Sequence, residues 1–215
     1  IAMYKVLQIA LSTFRESVRS KVLYSVLFFA ALTVFASTIF GRVTIGSQIN
    51  VIKNFGLFSI SIFSVLFAVI SGTTLLAKEL SRKTVFNILA KAVQRWEFLL
   101  GKYLGMLLTA LVILSLMGFG LFGYSYLYEG FFDSLILLAT LHIFFELIIV
   151  CACAIFFSSL VVTPILSGLF TCAVFLVGRS RDYLLYFMES ADRGELQQLL
   201  IQAIYNMLPA LDKIN

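Results

Sequence analysis

Five long apolar runs, at 22–40, 55–77, 103–128, 135–157 and 162–178, break up this chain of 215 residues. Each is close to the ~20 residues a helix needs to cross the ~30 Å hydrocarbon core of a bilayer. Only one acidic residue, Glu146, falls inside a run. Composition points the same way: 61% of residues are hydrophobic and 13% charged, against about 45–50% and about 25% in soluble domains. So few charges cannot coat a water-facing surface. The expected fold is all-α: a polytopic membrane protein in which five spanning helices follow an N-terminal helix at the membrane surface, in a single transmembrane domain covering 1–215.

The segment 3–20 carries the surface-helix pattern. At 100° per residue, Met3, Val6, Leu7, Ala10, Leu11, Phe14 and Val18 share one arc, and Lys5, Gln8, Ser12, Arg15, Glu16 and Arg19 fill the other. An apolar face opposed by a basic polar face is the signature of an interfacial helix. Charge at both ends and no small-residue cleavage site argue against a signal peptide.

Loop charges orient the chain. Lys5, Arg15, Arg19 and Lys21 precede the first run, and Lys78, Arg82, Lys83, Lys91, Arg95 and Lys102 lie in the 78–102 segment. The loop after the first run has only Arg42 and Lys53, and the turn at 129–134 has none. Basic residues collect on the cytoplasmic side, which places the N-terminus and 78–102 in the cytoplasm. Five spans then put 179–215 outside. There, four basic residues are outnumbered by Asp182, Glu189, Asp192, Glu195 and Asp212. This tail has an amphipathic piece, with Leu196, Leu199, Leu200, Ala203, Ile204 and Met207 on one face, ended by Pro209.

Soluble-enzyme chemistry finds little footing. No Gly-x-x-x-x-Gly-Lys-Ser/Thr phosphate loop and no His-Glu-x-x-His metal pair occurs. Cys151, Cys153 and Cys172 all lie within apolar runs and read as small packed residues. Neither a metal site nor a nucleophile–base pair is expected, and no nucleic-acid partner.

Two places carry polar groups that ask for an explanation. Within 78–102, helical spacing sets Phe86 among Lys78, Glu79, Arg82 and Lys83. An aromatic on a charged cytoplasmic helix suits either a knob for a soluble partner or an anchor in lipid headgroups. Glu146 is the other. A charge at mid-bilayer costs about 2.5–3.5 kcal/mol on insertion scales, and His142 lies one helical turn away on the same face. The pair reads as a polar relay or substrate contact, or as an uncharged Glu hydrogen-bonded to a neighbouring helix, through His142. Small residues mark close-packing faces: Ser61, Ser64, Ala68 and Ser71; Gly101-x-x-x-Gly105; and Pro164, Gly168 and Cys172.

The stretch Lys78-Glu79-x-x-Arg82-Lys83-Thr84, with Ile88-Leu89 and then Arg95-Trp96-Glu97-Phe98-Leu99-Leu100-Gly101-Lys102, resembles the cytoplasmic coupling region of type-2 ATP-binding-cassette (ABC) transporter permeases. The subgroup it looks most like is related to the permease of nitrous-oxide-reductase (multicopper enzyme) maturation. The interfacial helix ending in Arg19-x-Lys21, Glu146, the Ser158-Ser159 turn and the end Leu208-Pro209-x-Leu211-Asp212-Lys213-Ile214-Asn215 extend the resemblance over nearly the whole chain. It departs at Lys83, where the family commonly has Gly, and at Ala92, where it commonly has Pro.

The resemblance implies the transmembrane subunit of an ATP-driven exporter in the bacterial cytoplasmic (inner) membrane, not itself an enzyme. It implies two ABC ATPase subunits that carry ATP and Mg, a second permease copy (identical or a paralogue), and an accessory protein on the outer side. Glu79, Arg82, Phe86 and Arg95 would couple to the ATPase. Ser61, Ser64, Ser71, Gly168 and Thr171 would line the translocation or dimer interface, unless they pack within one subunit. Six spans are implied, the sixth beyond residue 215, with a native start at Met3. A membrane anchor for another cytoplasmic complex, without transport, is the competing expectation.

Overall fold

The structure, a computed structural model, describes residues 2–43, 48–81, 94–130, 134–161 and 163–180. They form six helices: α1 Ala2–Val18, α2 Lys21–Val43, α3 Gln48–Ser81, α4 Arg95–Glu129, α5 Ser134–Leu160 and α6 Pro164–Arg179. Every element among the described residues is helical.

Apolar length sets which helices can cross a bilayer. Three contain long enough stretches, Ile49–Thr74, Arg95–Leu127 and Ser134–Leu160, and α1 with α2, bent by 57°, pass together as a fourth. The chain is therefore a membrane-embedded helical protein with three or four candidate spans among its described residues, where the sequence raised an expectation of five. At ~1.5 Å per residue, the 16 residues of α6 reach about 24 Å, short of a full crossing.

α3 is the hub. It packs against α2, α4, α5 and α6. Its Gly56 lies against Leu121 and its Gly72 against Met106, so α3 and α4 run antiparallel. Gly118 of α4 meets Thr140 of α5, and the Tyr103 hydroxyl donates to the Ile148 carbonyl at 3.1 Å, which makes that pair antiparallel too. Phe67, Ala68, Met106, Ala110, Ile113, Leu147, Cys151 and Ala154 are buried between these helices. Large apolar side chains such as Phe28, Phe119, Leu138 and Leu169 are exposed on the outside. In water such a surface would be a liability; in a bilayer it is the solvated face.

Local rules place the helix ends. At the start of α4, the Gln94 backbone N–H donates to the Glu97 carboxylate at 2.9 Å, satisfying a donor as the N3 acid of a capping box does. At its end Gly130 takes φ 74°, a left-handed C-cap conformation that costs glycine nothing, and its N–H returns to the Tyr126 carbonyl at 2.9 Å. Pro164 opens α6 in its first turn, where the missing N–H has no helical partner to lose.

α1 is bound to α4 by backbone proximity. A Cβ on Gly101 would stand 2.7 Å from Ile9 Cβ, and one on Gly105 would stand 2.5 Å from the Ala10 carbonyl oxygen. The Gly-x-x-x-Gly of the sequence is thus a groove for α1. Contacts advance in the same direction along both helices, so α1 runs beside the first turns of α4. Its buried face is Val6, Ala10, Thr13 and Ser17, while Met3, Leu7 and Leu11 of the expected apolar arc are exposed.

Candidate functional site

The most unusual chemistry of the bundle lies midway along α5. Glu146 is buried, with 1% of its side chain exposed, and it faces a cation: Arg179 Nη1 donates to Glu146 Oε1 at 3.0 Å. The same Nη1 lies 3.4 Å from Ser61 Oγ, and that hydroxyl is 3.5 Å from Glu146 Oε2. Three helices therefore meet at one polar point, α3 through Ser61, α5 through Glu146 and α6 through Arg179.

The hairpin of α5 and α6 creates this meeting. Glu146 lies fourteen residues before the end of α5, and Arg179 lies fifteen residues after the start of α6. At equal rise the two stand at the same level. Arg179 is the last residue of α6, where a cation also complements the helix dipole. A guanidinium is always charged and donates in a fixed fork, so it suits a buried carboxylate better than a hydroxyl or an amide would.

His142, expected to bridge to Glu146, does not. Its Nδ1 lies 2.9 Å from the Leu138 carbonyl oxygen of its own helix. Same-face spacing within one helix points to His142 and contains no information on Arg179, which the apolar-run pattern assigns to the tail. The available signal is the hairpin register: the two residues lie fourteen and fifteen residues from the ends of their helices at the turn.

The small-residue positions are all in contact surfaces inside this one chain. Ser61, Ser64, Ser71 and Thr171 are buried. Ser64 Oγ and Ser167 Oγ are buried without a hydrogen-bond partner among the described residues. Thr171 Oγ1 donates to the Ser167 carbonyl at 2.9 Å. Gly168 faces α3, where an added Cβ would make ordinary contact with Val69 at 3.6 Å and Thr73 at 3.9 Å. Of these residues only Ser61 joins the Glu146 cluster.

A second polar group gathers where α4 begins. Glu97 and Lys102 are buried. Lys102 Nζ lies 3.9 Å from Glu16 of α1 and 5.8 Å from the centroid of the Phe98 ring. The Trp96 indole N–H donates to the Gln94 side-chain carbonyl. Arg95 is exposed at the first turn of α4. Glu79 lies in the last turns of α3, its side chain outside the described residues, as are Arg82 and Phe86 entirely. Among the described residues no three His, Cys, Asp or Glu side chains gather as a metal site would require.

Comparison with known proteins finds no family model that matches the chain and no curated protein that matches it.

Proposed function

We propose that this chain is the permease subunit of an ATP-driven exporter of the type-2 ABC class, with its N-terminus and 78–102 on the cytoplasmic side of a bacterial inner membrane. In this reading α1 lies at the membrane surface beside α4, and a second permease copy and two ATPase subunits complete the assembly. Substrate passes by alternating access between the two permeases.

The observation that supports it best is mechanical. Segment 82–93 joins two long unbroken helices, α3 of 34 residues and α4 of 35 residues, which pack against each other and extend past the apolar runs 55–77 and 103–128. A push on that segment is delivered to both helices, and through the Gly101–Gly105 groove to α1. A pair of rigid, directly coupled helices is what a cytoplasmic motor needs in order to move a membrane part.

The test is purification from native membranes in mild detergent, with mass-spectrometric identification of bound proteins and assay of ATP hydrolysis. The expected result is co-purification of an ATPase bearing a phosphate loop, at two copies per permease pair. Recovery with a different cytoplasmic complex and no such ATPase would favour the anchor reading instead.

A further inference from the structure

Glu146 is the thirteenth of the 27 residues of α5. A hydrocarbon core of ~30 Å takes about 20 residues of helix, so a core centred on α5 puts Glu146 within one turn of the bilayer midplane. α6 brings Arg179 to that level and stops there. The next residue, Ser180, is outside the helix and exposed.

Polar side chains lead outward from this point. α3 and α5 run in the same direction: Ser61 is level with Glu146, and Thr73 is level with Ser158, twelve residues further along each helix. Asn54 lies seven residues before Ser61 and Asn50 eleven, which is two and three turns on one face at ~3.6 residues per turn, and both are exposed. On α5, His142 lies one turn before Glu146. Its Nδ1 meets the Leu138 carbonyl oxygen, and its Nε2 has no partner among the described residues. α6 covers α3 only from Ser61 inward, since Gly168 lies against Val69 and Thr73 while Arg179 reaches Ser61.

Hydrocarbon does not satisfy such a line of groups. The Arg179 side chain is 33% exposed, and of its guanidinium nitrogens only Nη1 has a partner among the described residues. A permanent charge facing lipid at mid-bilayer is costly. Polar groups persist at that depth where they are buried in protein or face a water-filled cavity. The sequence continues after Arg179 as Ser180-Arg181-Asp182, which adds to the demand for water. We propose that a water-filled vestibule enters the bundle from the Ser134 end of α5, passes between Asn54 and His142, and ends at the Glu146–Arg179 pair in the middle of the bilayer. It admits water and small hydrophilic solutes to a depth that α6 does not fill. The inference needs only that the chain is embedded in a membrane and is independent of the transport reading.

The experiment is thiol labelling of the full chain in lipid nanodiscs, where both membrane faces are open to reagent and orientation does not matter. Cys151, Cys153 and Cys172 are replaced first, and a charged, membrane-impermeant methanethiosulfonate is the probe. Phe58 and Phe145 are 56% and 48% exposed on the apolar surfaces of α3 and α5 at similar depth, and serve as lipid-facing controls. The thiolate is the reacting species, so Asn54→Cys and Ser180→Cys should react about tenfold or more faster than Phe58→Cys and Phe145→Cys. Circular dichroism matching the parent is required of each variant. A Ser180→Cys as slow as Phe145→Cys would overturn the vestibule, because lipid or protein then closes over the ion pair. Fast reaction at Phe145→Cys would overturn the depth on which the vestibule rests. A fast Ser180→Cys with a slow Asn54→Cys would overturn the path along α3.

Discussion

Arg179 closes on Glu146 at 3.0 Å, and with this contact the end of the short helix α6 is fixed against the middle of α5. The fully buried residues of α6 are Ser167, Thr171 and Gly178, while Cys172 and Phe175 pack half-buried against the core. The ion pair adds a directional restraint to this packing. Removing one partner from a buried pair leaves an uncompensated charge and typically costs about 3–5 kcal/mol, whereas replacing both with apolar groups is often close to neutral. Arg179 is 33% exposed, so the lower end of that range applies. Arg179→Met is expected to destabilise the purified protein by about 3 kcal/mol. Glu146→Leu with Arg179→Met should recover most of the loss. Unfolding followed by circular dichroism in mixed micelles reads both. A double variant as unstable as the single would mean that the pair does not account for the position of α6.

The contact of α1 with α4 gives a second prediction. The Ala10 carbonyl oxygen lies 2.5 Å from where a Cβ on Gly105 would be, and backbone cannot swing aside as a side-chain end can. Gly105→Ala should displace α1 and destabilise by about 1–3 kcal/mol, as overpacking commonly does. Gly123→Ala has nothing within 4 Å to meet and should instead stabilise by up to about 1 kcal/mol, the propensity gain of Ala over Gly. Opposite signs in paired unfolding measurements are the expected result. A neutral Gly105→Ala would mean that α1 does not rest in this groove in the membrane.

Much of the architecture was readable because apolar run length is a strong signal in a membrane chain. The all-helical class followed from it, and α3, α4 and α5 contain the runs 55–77, 103–128 and 135–157. What escaped was size and partnership. The apolar arc of α1 belongs to a helix expected at the membrane surface, and its Met3, Leu7 and Leu11 are exposed. The face that hydropathy does not single out is the one with Thr13 and Ser17, which are buried, because close approach of two helices selects small side chains over greasy ones. Glu146 was matched to His142 by the i, i+4 rule, which sees only one helix. Its actual partner is 33 residues away, across a turn whose geometry no local rule contains. Length was misjudged at the ends of α3 and α4, where charged residues such as Glu97 continue the helix as caps beyond the apolar run.

Orientation is open to a direct test at the two ends of α4. Leu127 is 86% exposed near one end, and Lys91 precedes the other. The Lys/Arg bias predicts that 78–102 faces the cytoplasm. With Cys151, Cys153 and Cys172 replaced, Lys91→Cys should resist a membrane-impermeant maleimide added to intact cells, and Leu127→Cys should react with it. Labelling of Lys91→Cys from outside would invert the topology and remove the cytoplasmic coupling segment with it.

Phe86 bears most directly on function. Helical spacing in the sequence would set it among Lys78, Glu79, Arg82 and Lys83, a setting in which burial in its own bundle is not expected. An aromatic left in water gains nothing, so a groove on a soluble ATPase or the lipid headgroups should cover it. Burying a Phe side chain contributes about 1.5–3 kcal/mol, so Phe86→Ala at a docking site should weaken ATPase association by roughly 10–100-fold. Arg95 is exposed at the head of α4 and would contribute a rim charge, so Arg95→Gln should act on the association rate and its salt dependence more than on dissociation. At a headgroup site Phe86→Ala would leave partner binding unchanged, because the membrane spans already hold the chain. The measurement is association of the purified permease with its ATPase, alongside stimulated ATP hydrolysis, with membrane insertion checked in parallel. If insertion, association and hydrolysis all equal those of the parent, Phe86 is not the knob.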